Sequence, residues 1–281
     1  MSLQYETVEG ALATANKFAV NDAAVEFLKE ADTVRGVRIV HQQWGIGGGQ
    51  VANRSGGAAT IGIGVHLDPS QWVAWQWVHA TTTYTDDTTD AQDAGASDFA
   101  METTTNDDGH LIACRVPFNI IGYLLGTASA SATNTVRVVE FSHSNGTWAS
   151  YAAAAMIVEP VNGAAAWPSG ERAVWFPIRT SWAPMTAAHV ADASLHGFYG
   201  IRIRATTAPT TTAAVATQFV LGRMYLAQEA VGDNAIADFE LASEIVMAGA
   251  HIAFAVSRDT ATANVTNDSG SIASILVRPR G

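Results

Sequence analysis

The sequence predicts an all-β protein, built as a β-sandwich or jelly roll with one short helix near the N-terminus. Many short segments alternate apolar and polar residues, and turn-forming residues separate them at intervals of roughly 10 to 15 residues. No regular alternation of strand and helix patterns occurs, which argues against a parallel sheet. The chain has 281 residues, 48% of them apolar, and this is enough for one large or two smaller β-domains.

The first 34 residues are predicted to form an N-terminal arm that contains the helix. Residues 1–20 lack a clear period and are expected to be extended. The segment 21–31 has helical spacing, because Val25 and Leu28 share one face and Asn21 or Asp22 can cap its start.

Alternation and apolar runs predict strands along the rest of the chain. These strands are 34–40, 59–67, 72–78, 111–116, 118–125, 135–141, 148–158, 172–178, 197–205, 218–226, 239–246, 252–256 and 272–277. The glycine-rich stretch 45–57 is predicted to be a flexible loop at a subunit contact, since it lacks the Lys and Ser or Thr of a phosphate-binding loop. Asn145-Gly146 predicts a tight hairpin turn with positive φ at both residues.

Two polar stretches suggest the domain organisation. An acidic stretch at 81–109 and a polar linker at 229–234 interrupt the series of strands. We therefore expect an outer β-sandwich formed by 35–109 together with 229–281. Residues 110–228 would form a second β-sandwich inserted into it.

The acidic stretch is expected to be a solvated loop. Its carboxylates have no basic residue among them. They are Asp86, Asp87, Asp90, Asp93, Asp98, Glu102, Asp107 and Asp108. Calcium binding at 86–108 is the alternative, although the spacing of an Asp-x-Asp-x-Asp-Gly loop is not present.

Composition narrows the range of partners. Charged residues make up only 15% of the chain and the net charge is −11, so nucleic acid and anionic membranes are not expected to bind. The N-terminus does not resemble a secretory signal, and no apolar stretch is long enough for a membrane span. The one cysteine, Cys114, lies in an apolar run and is expected to be a buried, inert thiol.

No catalytic, cofactor-binding or metal-binding residue is assigned from the sequence, and no cofactor is expected. The eight histidines never occur at His-x-His or His-x-x-x-His spacing. Four glutamates lie within or beside strands: Glu140, Glu159, Glu171 and Glu240. The two catalytic carboxylates of a carbohydrate-active enzyme could come from this set, so that class of enzyme is an alternative. Trp72, Trp75 and Trp77 could stack on sugars, but filling a core or an interface is the favoured interpretation, with Trp72 opposite to the other two.

Residues 135–226 carry a pattern that resembles phage virion and tail proteins. In order along the chain, the pattern consists of the hairpin Phe141-Ser142-His143-Ser144-Asn145-Gly146-Thr147-Trp148, then Val174-Trp175-Phe176-Pro177-Ile178, Ser181-Trp182, Phe198-Tyr199-Gly200-Ile201-Arg202-Ile203-Arg204 and Thr206-Thr207-Ala208-Pro209-Thr210-Thr211. The chain departs from the family at Ser142 and His143, where an aromatic pair is usual.

The resemblance implies a β-sandwich in a capsid decoration, fibre or baseplate protein, with no catalytic residues. We therefore expect a non-enzymatic structural protein of the virion, made in the host cytoplasm. Its partners would be copies of itself, as a trimer, and the major capsid or tail protein. The alternatives are a module of a tail fibre or spike that binds a host surface glycan, and a carbohydrate-active enzyme.

Overall fold

The computed structural model describes residues 6–11, 43–52, 59–93, 99–156, 167, 170–232, 235–248, 252–258 and 272–280. Its strands are β1 Glu6–Ala11, β2 Gln43–Ala52, β3 Ala59–His66, β4 Trp72–Val78, β5 Thr83–Asp86, β6 Phe99–Ala100, β7 Gly109–Cys114, β8 Ile120–Thr127, β9 Val136–Ser142, β10 Trp148–Ser150, β11 Gly170–Trp175, β12 Tyr199–Thr207, β13 Val215–Val231, β14 Ile236–Ala248, β15 Ile252–Arg258 and β16 Ile272–Arg280. One α-helix, α1 Thr88–Gln92, and four 3-10 turns, Pro69–Gln71, His79–Thr81, Ala153–Ala155 and Ala193–Leu195, complete the described elements.

The all-β prediction is confirmed, because strands dominate and the pairings within each unit are antiparallel. The jelly-roll arrangement stays a prediction. The helix predicted at 21–31 and the strand predicted at 34–40 lie outside the described residues. None of the helices in the described part of the chain is long and apolar enough to cross a bilayer.

Contacts divide the chain into two compact units, 1–66 with 223–281 and 67–222. The sequence predicts boundaries after residue 109 and after residue 228. Residues 67–109 are therefore in the inner unit and not, as expected, in the outer one. The physical reason is the strand β4, which pairs with β7 along Trp72 to Trp77 and thereby belongs to the inner unit.

The unit 67–222 contains two groups of paired strands. A six-stranded sheet has the order β10-β9-β12-β7-β4-β5, and β8 pairs on one side with β11 and on the other with the first part of β13. The main core holds side chains from both groups, among them Ile112, Ile201, Ile121 and Phe219. This arrangement is a β-sandwich, because side chains that alternate along each strand fill the space between two sheets.

A second, smaller cluster covers the other face of the six-stranded sheet, which we call the outer face. Trp75, Leu111 and Ala113 project from β4 and β7 on this face, while Trp72, Ala74, Ile112 and Cys114 project into the main core. Met185, Val190, Leu195 and Phe198 pack on the outer face from the irregular segment between Trp182 and β12. We call residues 183–198 the covering segment.

In the unit 1–66 with 223–281, four strands form a sheet of order β1-β16-β2-β14, and β3 pairs with β15. Part of the predicted extended arm is therefore a strand, because Glu6–Ala11 pairs with β16 of the same chain. The prediction that the glycine-rich stretch is a loop is wrong for residues 45–52, which form most of β2. Hydrogen bonding to β14 on one side and β16 on the other compensates for the low strand preference of glycine.

Two further predictions need correction. The polar linker predicted at 229–234 is strand up to Val231, because β13 continues to that residue. In the hairpin between β9 and β10, only Gly146 has positive φ, at +86°, and Asn145 does not. The Gly146 N–H donates to His143 O at 2.9 Å and the His143 N–H to Thr147 O at 2.9 Å, which is the three-residue loop that ends on a left-handed glycine.

Candidate functional site: the arginine and aromatic cluster of the outer face

A group of charged and aromatic side chains lies on the outer face, beside the covering segment. Alternation along β12 produces it, since Ile201 and Ile203 are buried in the main core and Arg202 and Arg204 point the opposite way. Strand β9 adds Glu140 beside these arginines. Aromatic rings from β4, β5 and β10 complete the group.

Arg202 is held between two tryptophan rings. Its guanidinium carbon lies 5.2 Å from the ring centroid of Trp77 and 4.7 Å from that of Trp148. The Tyr84 ring lies against Trp77 at a centroid distance of 4.4 Å, and the Tyr84 hydroxyl lies 3.4 Å from the guanidinium. Burial raises the pKa of Tyr84, which stays a neutral phenol.

Glu140 forms ion pairs with both arginines. Its Oε2 accepts hydrogen bonds from Arg202 Nε at 2.8 Å and from Arg204 Nε at 3.1 Å, and the Glu140 side chain is 6% exposed. Asp107 forms a second ion pair with Arg204. Burial opposes the charge of Arg204, but its bonds with Glu140 and Asp107 raise its pKa above the ordinary value. The cluster is therefore a closed network of ion pairs.

The acidic stretch is only partly the solvated loop that the sequence predicts, since Asp86 and Asp93 are exposed but two other carboxylates are buried. Glu102 and Asp108 are each only 4% exposed, and Glu102 binds Arg137 through two hydrogen bonds of 2.7 Å. Asp108 accepts from the His79 N–H at 2.8 Å and from the Thr103 hydroxyl at 2.6 Å. Glu102 and Asp107 differ from the prediction because they pair with arginines that are distant in sequence, Arg137 of β9 and Arg204 of β12.

His110 lies in the main core near the Glu102–Arg137 pair. Its Nδ1 is 2.7 Å from Met101 O and its Nε2 is 3.1 Å from the Tyr123 hydroxyl. Burial lowers the pKa of His110 to about 4, and the nearby Arg137 charge acts in the same direction. A small cavity lined by Met101, Glu102, His110, Arg137 and Trp167 has no room for a water-sized molecule.

Three of the segments singled out between residues 135 and 226 meet at one place in the sandwich. Ser142 Oγ accepts from Trp182 Nε1 at 3.1 Å and from the Gly200 N–H at 3.2 Å, and it donates to Ala183 O at 2.6 Å. Trp182 Nε1 also donates to Gly200 O at 3.1 Å. Ser142 is thus a fully buried junction between β9, Trp182 and β12.

The three tryptophans of β4 are buried, which confirms the interpretation that they fill a core. Trp72, Trp75 and Trp77 are 2%, 8% and 6% exposed, and Trp72 lies on the face opposite to Trp75. Cys114 is also buried as predicted, and burial raises the pKa of its thiol.

Three of the carboxylates considered for catalysis lie on three different strands, β9, β11 and β14. Glu140 is bound to two arginines, and Glu240 is exposed on β14 of the other unit. Glu171 is on β11 and Glu159 lies outside the described residues. Within the described ranges, no group of three or more His, Cys, Asp or Glu side chains is placed to hold a metal ion.

Sequence reasoning missed the roles of Arg137, Arg202 and Arg204. The signal for the last two was present in the Tyr-Gly-Ile-Arg-Ile-Arg segment, whose alternation predicts two arginines on one sheet face. Comparisons of the chain with family models, with curated proteins and with solved structures find no match. The fold and the site together define a β-sandwich protein with a closed arginine and aromatic cluster.

Proposed function

We propose that this chain is a non-enzymatic structural protein of a phage virion, a capsid decoration or head or tail surface component. It assembles with copies of itself and with the major capsid or tail protein. The observation that carries the proposal is the junction at Ser142, where the hairpin, Trp182 and β12 of the family pattern are bonded together. Three of the five segments of the pattern therefore meet at this junction, which supports the proposal.

The outer-face cluster supports a structural role. An active site needs polar groups whose bonding capacity is left for a substrate, in a concave pocket. Here Glu140 binds two arginines, Arg204 also binds Asp107, and the Trp77 and Trp148 rings both lie against Arg202. The charges of the cluster therefore stabilise the fold.

Self-association is supported by the four-stranded sheet. Among the described strands of this sheet, β1 and β14 form the two edges, and β14 is 13 residues long. Ile236 on β14 is 69% exposed. A long edge strand with exposed apolar side chains is a template for pairing with another chain.

Glycan binding is the alternative function. Sugar-binding faces present flat aromatic rings to solvent. Trp72, Trp75 and Trp77 are too buried to do so. A glycan array separates this alternative from the proposal, since saturable binding of one glycan class at micromolar concentration favours the alternative.

Two measurements test the proposal. Multi-angle light scattering at micromolar concentration should give a multiple of the 29.5 kDa chain mass, with three copies as the expected number. Antibodies against the purified chain should label the outer surface of intact phage particles in electron micrographs. A monomeric mass, or antibody that labels only material outside the particles, would overturn the proposal.

A further inference from the structure

The tip of the β9–β10 hairpin carries an asparagine that is followed by glycine, and this asparagine, Asn145, is exposed to solvent. In such a pair the glycine amide nitrogen can lose its proton and attack the asparagine Cγ, because glycine has no Cβ to obstruct the approach. A bond forms between this nitrogen and Cγ, and the side-chain NH2 takes up a proton and leaves as ammonia. Water then opens the resulting succinimide ring at one of its two carbonyls, which gives aspartate or isoaspartate.

The backbone of the hairpin holds Asn145 in a conformation that does not permit this ring to close. The Gly146 N–H donates to His143 O across the turn. Neither of the two residues between them, Ser144 and Asn145, has positive φ. The turn is therefore of type I, in which the third residue, here Asn145, has a ψ of roughly 0°.

Ring closure needs a different value of this angle. The succinimide ring contains the Cα, Cβ, Cγ and carbonyl carbon of the asparagine together with the following nitrogen, so that nitrogen must lie in line with Cβ. At a ψ of roughly 0° it lies in line with the backbone nitrogen of the asparagine instead. The Cα–C bond of Asn145 must therefore rotate out of the turn geometry before the reaction.

Hydrogen bonds also hold the two reacting groups. Asn145 Oδ1 accepts from the Thr147 N–H at 3.1 Å and from the Thr147 hydroxyl at 2.8 Å, which fixes the carboxamide. The bond from the Gly146 N–H to His143 O, 2.9 Å long, stabilises the proton that this nitrogen must lose. His143 O also lies 2.9 Å from His189 Nε2, so the covering segment contacts the same turn.

We propose that Asn145 is a deamidation site that the hairpin controls: the closed turn prevents succinimide formation, and local opening of the tip permits it. The reaction consumes water and releases ammonia, and it needs no other reactant. Isoaspartate adds one carbon to the backbone within a loop whose length selects the turn type, so a chain that has formed it would not recover this loop. The inference rests on the geometry of the hairpin and does not depend on the proposed function.

The extent of protection follows from how often the tip opens. The rate in the folded chain is the rate of the open form multiplied by the fraction of chains that are open at this place. Opening breaks the two bonds of Asn145 Oδ1 with Thr147 and the bond of the Gly146 N–H with His143 O. Because these bonds break together, we expect deamidation to be slower by about tenfold or more in the folded chain.

Peptide mapping by mass spectrometry tests this control. The full chain is incubated at pH 7.5, folded and in parallel in guanidinium chloride, and the loss of the Asn145 amide is followed in both samples. The sequence has a second Asn-Gly pair, Asn162-Gly163, which lies outside the described residues. In the denatured sample this pair gives the intrinsic rate of the same dipeptide in the same solution, and Asn145 should react at a similar rate there.

In the folded sample Asn145 should react about tenfold or more slowly than in the denatured one. An equal rate in the two samples, or a faster reaction in the folded chain, would overturn the inference. This comparison uses only the unmodified chain, so it decides even where a variant does not fold.

Thr147→Val tests the contribution of the side-chain bond, since it removes the hydroxyl that donates to Asn145 Oδ1 but keeps the backbone N–H. The ratio of the folded to the denatured rate at Asn145 should rise about threefold or more. Thr147→Ser is the matched control, because serine keeps the hydroxyl, and its ratio should stay close to that of the unmodified chain. Equal ratios for the two variants would contradict the role of the Thr147 hydroxyl in holding the carboxamide.

Discussion

Glu102 and Arg137 form a two-pronged ion pair in the main core. Both hydrogen bonds are 2.7 Å long, and the side chains are 4% and 1% exposed. The Arg137 guanidinium also donates to Ser129 Oγ at 3.1 Å and lies 5.4 Å from the Trp167 ring centroid. The pair therefore joins the acidic stretch to β9 and to Trp167.

Glu102→Gln should lower the free energy of unfolding by about 3–5 kcal/mol, because it leaves the buried Arg137 charge without a counter-charge. Chemical denaturation at pH 7 measures the change. The double variant Glu102→Gln with Arg137→Met should recover a large part of the loss, since no charge is then buried. A double variant no more stable than Glu102→Gln would show that the hydrogen bonds of the pair, and not its charges, dominate.

Gly146→Val should destabilise the fold by roughly 1 kcal/mol or more, because a β-branched residue is strained at positive φ. The φ of Gly146 is +86°, and an added Cβ would lie 3.0 Å from the Ala188 Cβ. Gly197→Val is the control, since Gly197 has a φ of +87° but no atom within 4 Å of an added Cβ. The larger drop in melting midpoint is expected for Gly146. Equal drops would show that backbone strain alone accounts for the effect.

The stability of the folded chain should decrease in acid because of His110. Its pKa is about 4 in the folded chain against 6.5 for a free histidine, so the unfolded chain binds the proton first as the pH falls. Its contribution is thus fully present above pH 6.5 and is lost progressively as the pH falls to about 4. The loss amounts to about 3 kcal/mol.

Denaturant titrations at pH 7 and pH 4 test this prediction. His110→Gln removes the titrating group and should show a smaller decrease between the two pH values than the unmodified chain. A decrease of the same size in both proteins would mean that other groups, such as the paired carboxylates, are responsible for the acid sensitivity.

Arg202→Lys should cost about 1–2 kcal/mol although the charge is kept. Lysine has no planar group to fill the space between the Trp77 and Trp148 rings or to bind Glu140 with two nitrogens. Arg223→Lys is the control, because Arg223 is exposed and lies 6.0 Å from the single ring of Tyr225. Its effect should stay within about 0.5 kcal/mol. Thermal melts measure the loss of stability in each variant. Equal losses for Arg202→Lys and Arg223→Lys would contradict the stacking role of Arg202.

Much of the fold could be predicted from local pattern. The alternation in Ile201-Arg202-Ile203-Arg204 marks β12, and Asn145-Gly146 marks the β9–β10 hairpin, because strand period and turn chemistry act over a few residues. The hairpin type was not predicted correctly, since the choice between two-residue and three-residue loops depends on the bonds of His143 with Gly146 and Thr147.

The sequence by itself determined the all-β class, the burial of the β4 tryptophans and of Cys114, and the strand faces on which the arginines lie. These properties follow from apolar period and side-chain size. Only the tertiary structure decided which distant residues meet: Glu102 with Arg137, Glu140 with Arg202, and His189 with His143. The physical reason is that charge pairing and hydrogen bonding depend on distances of about 3 Å, and separation along the chain does not specify which strands become neighbours.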